Sequence, residues 1–448
     1  MAQGRTDGAD ASIRQVASAS LIGTVVEWYD FFLYGTMAAL VFNKQFFPTF
    51  DPLVGTLIAF ATFAAGFVTR PLGGVIFGHL GDRLGRKPML VVTMMIMGVS
   101  TFAMGLLPTY GQIGVAAPIL LLVLRMFQGI GLGGEWGGAV LLCVEHAPAG
   151  RRGWYSSWPQ LGVPIGLLLS TLAVSAVGAF GDEALANGGW RIPFLVSIVL
   201  VAIGLFIRMR IQEPPAFERL RRTDQRSRVP LLEVFREHPR TTLLAMGARV
   251  SESVTFNVYN AFLVTYTVQV LRLQKGIVLN SLLVASVVGF AVILLAGRIS
   301  DRIGRRPVFM AGAALAAVSA FPIFALVDTK APLLIGLAVV IGWGVAACCM
   351  YGPEGALFAE VFPTRIRYSG MSVVYQIGVL PTGAIAPLVA TALVANYSGS
   401  SWPVAVYVLA MALITLVSLV FLPETKDRDI NDVSETSSAS ALPNSPSA

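Results

Sequence analysis

The chain carries the sequence Gly78-His79-Leu80-Gly81-Asp82-Arg83-Leu84-Gly85-Arg86-Lys87 directly after a long apolar stretch. A related sequence, Gly297-Arg298-Ile299-Ser300-Asp301-Arg302-Ile303-Gly304-Arg305-Arg306, follows another apolar stretch in the second half of the chain. Both copies hold an aspartate, a glycine and the same pattern of basic residues at matching positions. Self-similarity of this kind indicates a chain built from two related halves.

A second repeat supports the same division. Glu145, Pro148, Arg152 and Gly153 follow one apolar stretch, and Glu360, Pro363, Arg367 and Gly370 follow a stretch at the corresponding place in the second half. Membrane proteins that consist of two related halves bind their solutes where the halves meet. The repeats therefore make polar residues at that interface the first candidates for function.

The composition requires a membrane. Of 448 residues, 55% are hydrophobic and only 13% are charged, whereas soluble domains carry about 25% charged residues. Apolar runs of about 20 residues can each cross a bilayer as a helix. We predict spans at 19–42, 53–78, 89–108, 115–142, 155–179, 190–208, 241–271, 277–297, 308–327, 332–358, 369–395 and 402–422. The predicted fold class is an all-α membrane protein with twelve transmembrane helices in two pseudo-symmetric six-helix halves.

The basic residues predict the orientation. Most of the 32 Lys and Arg residues fall in segments that lie on one side of the predicted spans, and basic loops stay in the cytoplasm. The predicted outer loops hold only Lys44, Arg191, Arg272, Lys275 and Lys330. The net charge of +7 is thus explained without nucleic acid. We predict a cytoplasmic segment 1–18, a half 19–208, a cytoplasmic linker 209–240, a half 241–424 and a disordered cytoplasmic tail 425–448.

Several function classes are disfavoured. The chain has three cysteines and three histidines, scattered without metal-ligand or disulfide spacing. It lacks the G-x-x-x-x-G-K-S/T loop that binds nucleotide phosphates. We therefore expect no enzyme activity, no cofactor, no metal, no nucleotide and no nucleic acid, and a monomer whose partners are the bilayer, a small polar solute and protons.

Two further stretches carry a resemblance to a known family. They are Gly23-Thr24-Val25-Val26-Glu27-Trp28-Tyr29-Asp30-Phe31-Phe32-Leu33-Tyr34-Gly35 in the first span and Arg125-Met126-Phe127-Gln128-Gly129 with Gly133-Gly134-Glu135-Trp136-Gly137-Gly138 in the fourth. With the repeated aspartate loops, the chain from about 18 to 426 resembles the major facilitator superfamily and, within it, the metabolite:proton symporter family. The resemblance implies carriers of shikimate, 2-oxoglutarate, citrate, or proline and glycine betaine. It also implies a central cavity lined by helices 1, 4, 7 and 10.

Charged residues inside the spans point to the same helices. A charge at the bilayer centre costs about 2.5–3.5 kcal/mol on insertion scales, so it requires a partner or a watery cavity. The chain places eight there: Glu27, Asp30, Arg70, Arg125, Glu135, Arg249, Glu252 and Glu354. Seven of the eight, all except Arg70, lie in spans 1, 4, 7 and 10. Such residues are candidates for proton coupling and solute binding.

Helical spacing suggests individual roles. Glu27, Asp30 and Tyr34 share one face of the first span. Two close carboxylates in a low dielectric repel each other, so one is expected to hold a proton. We expect proton coupling at Glu27, Asp30 and Glu135. The alternative is a static ion pair in which Arg125 holds spans 1 and 4 together.

Solute binding is expected mainly at Arg125, because its planar fork matches a carboxylate. A salt bridge from Arg125 to Glu135 or Asp30 is the alternative. The expected binding set is Arg125, Tyr34, Gln128, Arg249, Glu252, Tyr259 and Glu354. Glycines in the fourth span are expected to allow close approach of another helix.

The repeated loops are expected to act as a gate. The resemblance implies a cytoplasmic latch that breaks as the halves rock. Its expected members are Asp82, Arg83, Arg86, Asp301, Arg302, Arg305, Glu145 and Glu360. The alternative, anchoring by the arginines alone, does not explain an aspartate at the same place in both halves.

The expected function is proton-coupled uptake of a small organic acid, such as shikimate or a dicarboxylate, through the cell's inner membrane. Uptake of a zwitterionic osmolyte is the main alternative. The members of the family that sense osmolarity typically carry a long heptad-containing C-terminal extension, and the residues after the last predicted span show no heptad pattern, so we expect this alternative less than the first. Proton-driven efflux and a membrane sensor without transport are further alternatives. The buried charges favour a polar solute over a lipophilic one.

Overall fold

A computed structural model describes residues 3–49, 52–180, 185–210, 213 and 230–430. Most of the predicted linker, residues 214–229, and the predicted tail beyond residue 430 lie outside the described residues. Twelve helical segments follow one another along the described chain, and together they account for all twelve predicted spans.

The segments are numbered α1 to α12 by span. They are α1 (Gln3–Met37, continued by Ala38–Phe42), α2 (Pro52–Leu84), α3 (Arg86–Leu106), α4 (Ala116–His146), α5 (Arg152–Gln160 and Gly162–Gly178), α6 (Arg191–Met209), α7 (Pro239–Asn257, continued by Val258–Phe262, Leu263–Thr265 and Tyr266–Val270), α8 (Lys275–Ile303), α9 (Arg305–Asp328), α10 (Pro332–Val339, Val340–Ala347 and Cys348–Val361), α11 (Arg367–Ser372, Val373–Ile377, Leu380–Ala384 and Ala386–Asn396) and α12 (Trp402–Phe421). Short helical turns lie at Asn43–Phe46, Tyr110–Ile113, Leu185–Gly189 and Pro230–Glu237.

The predicted fold class is confirmed. Nine helices in the described part of the chain are, by length and composition, able to cross a membrane. The remaining spans include α7 and α11, which are divided into short pieces with widened turns. α5 divides at Leu161, because Pro159 and Pro164 on either side of it lack the N–H groups that a continuous helix requires.

Helices α2 and α4 pack closely in the first half, as the glycines of the fourth span predict. A Cβ added at Gly129 would collide with the backbone carbonyl of Gly66, and one at Gly133 would collide with that of Arg70. Small residues let two backbones approach in a membrane, where packing and not hydrophobicity holds helices together. This contact fixes α4, which carries Arg125, against α2.

Helix α1 begins far before the predicted span, at Gln3. The predicted segment 1–18 is polar in composition, but Ile13, Val16 and Ala17 recur at helical spacing and are buried in one cluster. That cluster also contains Leu90 of α3 and Tyr155 of α5. The polar segment is therefore largely a helical extension, whose apolar stripe a hydropathy average does not detect.

Candidate functional site

A hydrogen-bonded chain links an acid and an arginine in the centre of the first half. Asp30 accepts a hydrogen bond of 2.6 Å from the Thr101 hydroxyl, which accepts one of 2.8 Å from the Gln128 amide. The side-chain oxygen of Gln128 in turn accepts a hydrogen bond from Arg125. The Arg125 guanidinium lies 4.4 Å from the centre of the Tyr34 ring. Helices α1, α3 and α4 are thus joined by one polar network.

Asp30, Arg125 and Gln128 are each only 1% exposed. A charge so deeply buried interacts strongly with its neighbours because the surrounding dielectric is low. Thr101 was missed by the sequence interpretation, since a lone threonine in an apolar helix usually bonds to its own backbone. The Thr101 hydroxyl also lies 3.0 Å from its own helix's Met97 carbonyl oxygen, in addition to its hydrogen bond with Asp30.

Glu27 meets different partners from those of Asp30, although the two lie one turn apart. The charges that act on Glu27 are those of Glu135, Arg70 and Arg208. The charges near Glu27 thus differ from those near Asp30, and the expected repulsion between the two carboxylates stays a prediction. Arg70 itself lies over the Phe67 ring, with the guanidinium carbon 4.6 Å from its centre.

Glu135 is held by Arg208 and not by Arg125. A nitrogen of Arg208 lies 2.9 Å from one Glu135 oxygen, and a second contact joins the other oxygen. The Thr93 hydroxyl adds a hydrogen bond of 2.9 Å to the same carboxylate. Arg208 is one of the basic residues on the predicted cytoplasmic side, but it is buried and ties the end of α6 to α4.

The second half contains a compact group of three charges. Arg249 donates to Glu354 at 2.8 Å and lies 3.6 Å from Glu252. Its guanidinium carbon is 3.7 Å from the centre of the Tyr375 ring. The Trp136 ring of the first half stacks on the same Tyr375 ring, with the two ring centres 3.6 Å apart. The charge group therefore abuts the interface between the halves.

A small cavity adjoins this group, lined by Glu252, Phe256, Trp343 and Tyr351 among others. Val163 and Pro164 of α5 line it from the first half, and the Trp28 ring of α1 lies 6.2 Å from that of Phe256. Tyr259, an expected binding residue, lies elsewhere. It is fully buried in the core of the second half, where its ring packs against Phe324 at 6.1 Å.

The repeated aspartates bind across the two halves at the end that the basic residues predict to be cytoplasmic. Asp82 of α2 accepts the backbone N–H groups of Tyr368 and Ser369, at 3.2 and 2.8 Å, in the first turn of α11. Asp301 of α8 accepts those of Gly153 and Trp154, both at 2.8 Å, in the first turn of α5. The first turn of a helix attracts anions because its N–H groups are unsatisfied and its dipole is positive.

Ion pairs surround both contacts. Arg86 lies 3.2 Å from Asp82 and 3.4 Å from Glu145, and Arg367 of the other half lies 3.1 Å from Glu145. The second copy repeats the arrangement. Arg305 lies 2.6 Å from Asp301 and 3.2 Å from Glu360, and Arg152 of the first half lies 3.5 Å from Glu360.

Two of the expected gate residues lie at the surface. Arg83 and Arg302 have exposed side chains, so the buried pairs are carried by Arg86 and Arg305. The residues that complete the network were missed as gate members, although Arg152 and Arg367 belong to the second sequence repeat.

Two glutamates outside the membrane cap neighbouring helices. Glu213 accepts the backbone N–H groups of Arg86 and Lys87, at 3.1 and 3.0 Å. Glu424 accepts those of Arg305 and Arg306, at 2.9 and 3.0 Å. Burial raises the pKa of Glu213 above its usual value. The sequence held a signal for both capping glutamates, because each of them adjoins a proline at the end of its half.

The segment after α12 packs on the gate. The carbonyl of Arg428 accepts a hydrogen bond of 2.7 Å from Arg152, and the carbonyl of Ile430 accepts one of 3.1 Å from Arg367. Ile430 is only 3% exposed. The predicted disordered tail therefore needs correction over residues 425–430, which are ordered because their carbonyls satisfy buried arginines.

The comparisons with known proteins agree with this architecture. The family model described as Major Facilitator Superfamily matches residues 20–341 and 281–444. The shikimate transporter of Escherichia coli K12 is 41% identical over 416 residues, which are 92% of this chain and 95% of that protein. The proline/betaine transporter of the same organism is 34% identical over 444 residues, covering 96% and 87%.

A solved structure of the proton:xylose symporter XylE bound to 6-bromo-6-deoxy-D-glucose superposes with a TM-score of 0.74. It covers 95% of this chain and 98% of its own, at 18% sequence identity, and it therefore supports the fold alone. The family model and the relatives extend over nearly all of the chain, and the chain belongs to the Major Facilitator Superfamily as a multi-pass membrane transporter and not an enzyme.

Proposed function

We propose that the protein is a proton-coupled symporter that takes up a small organic anion by alternating access. The observation that carries this proposal is the hydrogen-bonded chain from Asp30 through Thr101 and Gln128 to Arg125. It joins a group able to carry a proton to a group able to bind a carboxylate, inside the membrane-spanning helices.

Arg125 supplies the selectivity for an anion. Its guanidinium presents donors in a rigid fork that bonds both oxygens of a carboxylate. The charges of Arg70 and Asp30 both act on it. When Asp30 is protonated, Arg125 and Arg70 have one carboxylate charge fewer to balance them, and binding of an anionic solute is favoured. The shikimate transporter of E. coli is a relative named for a substrate that carries a carboxylate.

Proton and solute exchange through the same network. Protonation of Asp30 on the outer side removes the negative charge near Arg125 and permits the anion to bind. Loss of the proton to the cytoplasm restores that charge and favours release. Because the states differ by one carboxylate charge beside the solute, the proton gradient drives accumulation.

The cytoplasmic contacts of Asp82 and Asp301 serve as the gate in this proposal. In the described arrangement both aspartates bind the opposite half, and the cytoplasmic end is closed. Inward opening requires these contacts to break, so solute release and gate rupture occur together. We place the protein in the inner membrane as a monomer with both termini in the cytoplasm, in accord with its basic segments.

Uptake of a zwitterionic osmolyte is the second candidate, and one observation favours it. Glu252 lies at a cavity with the aromatic rings of Phe256 and Trp343. Carboxylates and aromatic faces attract ammonium groups. The proline/betaine transporter is the relative that corresponds to this chemistry.

Transport by the purified protein in liposomes separates these possibilities. We would offer labelled shikimate, 2-oxoglutarate, citrate and glycine betaine, each with and without an inward proton gradient. The proposal expects accumulation of one or more of the three acids only with the gradient. Accumulation of betaine alone supports the second candidate, and gradient-independent equilibration of every solute contradicts proton symport.

A further inference from the structure

The buried charges in the middle of the described helices do not balance. Three acids each have an arginine acting on them: Asp30 has Arg125, Glu27 has Arg70 and Glu135 has Arg208. The remaining acids, Glu252 and Glu354, have only Arg249 between them within ion-pair distance. The surplus negative charge therefore falls on helices α7 and α10.

All three members of this group are removed from solvent. Glu354 is fully buried, while Glu252 and Arg249 are each 4% exposed. One guanidinium carries a single positive charge, so it compensates one carboxylate. An uncompensated buried charge is so costly that the group normally changes its protonation state instead.

The surrounding groups do not supply a second cation. Tyr375 lies beneath the guanidinium, Tyr351 has its hydroxyl 3.5 Å from that of Tyr375, and Cys348 lines the same cavity as Glu252. All three are neutral when protonated. The charge of Arg70 in α2 also acts on Arg249, but the neighbouring charge that acts most strongly on Arg70 is that of Glu27.

Each of the two carboxylates also has one oxygen that can accept a proton. The Oε2 atoms of Glu252 and Glu354 are buried and accept no hydrogen bond within the described residues. Oε1 of Glu354 accepts the hydrogen bond from Arg249, and Oε2 of Glu252 lies 3.6 Å from that guanidinium, too far for a hydrogen bond, so each carboxylate has an oxygen on which a proton can reside. Glu252 borders the cavity beside Phe256 and Trp343, which also touches Val163 and Pro164 of the first half, so this carboxylate lies close to the interface between the halves.

We propose that Glu252 and Glu354 form a second proton-binding site, in which the two carboxylates share one proton beside Arg249. It is separate from the Asp30 network, because it lies in the other half and on other helices. Its part in transport rests on the proposed function. Loss of the shared proton adds a negative charge opposite Arg125 and repels an anionic solute.

Infrared spectroscopy of the purified protein in nanodiscs tests the site without any solute. A protonated carboxyl gives a carbonyl stretching band that shifts in heavy water, and a carboxylate does not. Glu252→Gln and Glu354→Gln should each lose the intensity of one carboxylic acid, because the remaining acid then pairs with Arg249 as a carboxylate. The double variant should lose the same single acid and no more.

Glu135→Gln is the matched control, since Glu135 has its own arginine and should contribute nothing to the band. Thermal melting identifies variants that do not fold, and the band of the wild-type protein should fall as pH is raised. No loss in either single variant, or loss of two acids in the double variant, overturns the proposal. These outcomes do not depend on transport, so they are distinct from failure of the uptake assay.

Discussion

At the residue scale, Arg125 is the group whose chemistry determines the solute in the proposed mechanism. Arg125→Lys keeps the charge but removes the fork that grips both carboxylate oxygens. A charged hydrogen bond contributes about 1.5–3 kcal/mol, so we expect solute affinity to fall by roughly ten- to a hundredfold. Calorimetric binding of the acid that the uptake assay identifies measures this loss.

The melting temperature is the control for that substitution. Arg125 also packs over Tyr34 and contacts Gln128, so a structural role would lower the melting temperature of the solute-free protein. Normal binding by Arg125→Lys would mean that the carboxylate is held elsewhere, with Arg70 the next residue to test.

Asp30 is the residue at which coupling is expected, because it is the acid connected to Arg125 by hydrogen bonds. Asp30→Asn imitates the protonated state permanently. It should abolish uphill accumulation driven by a proton gradient, while counterflow exchange of labelled for unlabelled solute survives. Both are measured in the same liposomes.

Glu27→Gln is the informative companion of that variant, since Glu27 lies one turn away among other charges. If Glu27→Gln loses accumulation and Asp30→Asn retains it, the coupling acid is Glu27. Retention in both variants moves the coupling site to Glu252 and Glu354.

The sequence predicted which charges would be buried better than it predicted their partners. Asp30, Arg125 and Arg249 were found because a charge in an apolar helix is conspicuous. Arg208 was misjudged, because at a helix end the positive-inside rule already accounts for an arginine. Tyr259 was misplaced, since helical spacing places it two turns beyond Glu252 and one beyond Phe256 but cannot reveal the widened turn at Val258–Phe262.

At the scale of the element, the contact of Asp82 with α11 depends on a carboxylate at the positive end of a helix. Asp82→Asn removes the charge and one acceptor oxygen. Because hydrogen bonds to charged groups contribute about 1.5–3 kcal/mol, we expect the closed state to lose much of its stability. Turnover in transport should fall sharply while solute affinity changes little.

Arg83→Gln is the control, since Arg83 neighbours Asp82 in sequence but has an exposed side chain. Its turnover should remain close to that of the wild-type protein. Equal slowing in both variants would favour a general disturbance of this loop over a specific gate contact, and normal turnover of Asp82→Asn excludes the gating role.

The segment 425–430 is a further element on which the gate depends. Removing residues 425–448 deletes the carbonyls that satisfy Arg152 and Arg367, and a buried unsatisfied donor costs about 1–3 kcal/mol. We expect a lower melting temperature and slower uptake. Removing only residues 431–448 is the matched control and should change neither; an equal effect of both truncations would place the function of the tail beyond Ile430.

The helices themselves were predictable, because a run of about twenty apolar residues can satisfy its own backbone hydrogen bonds in a bilayer by forming a helix. Their ends were not. Helix α1 extends before the predicted span on an apolar stripe that averages out in a polar segment. The residues after α12 contribute mainly backbone carbonyls, which leave no trace in the sequence.

At the scale of the whole molecule, the two gate contacts are related by the internal repeat. Each half offers an aspartate to the first turn of a helix in the other half, so both contacts must break when the cytoplasmic end opens. Free energies of separated contacts add, and the ratio of open to closed states then changes by the product of the single effects.

Asp82→Asn and Asp301→Asn should therefore combine multiplicatively. Ser372 is a suitable reporter, because it is 1% exposed and packs between the halves against Gly78 and Gly137. In a background with Cys143, Cys348 and Cys349 replaced by alanine, Ser372→Cys should react slowly with an impermeant maleimide applied from the cytoplasmic side of inverted vesicles. Each aspartate substitution should raise that rate several-fold, and the double substitution by about the product of the two. The reaction rate of unfolded protein sets the upper limit of the assay. If the rates lie below that limit and the double variant reacts no faster than the single ones, one contact alone holds the gate.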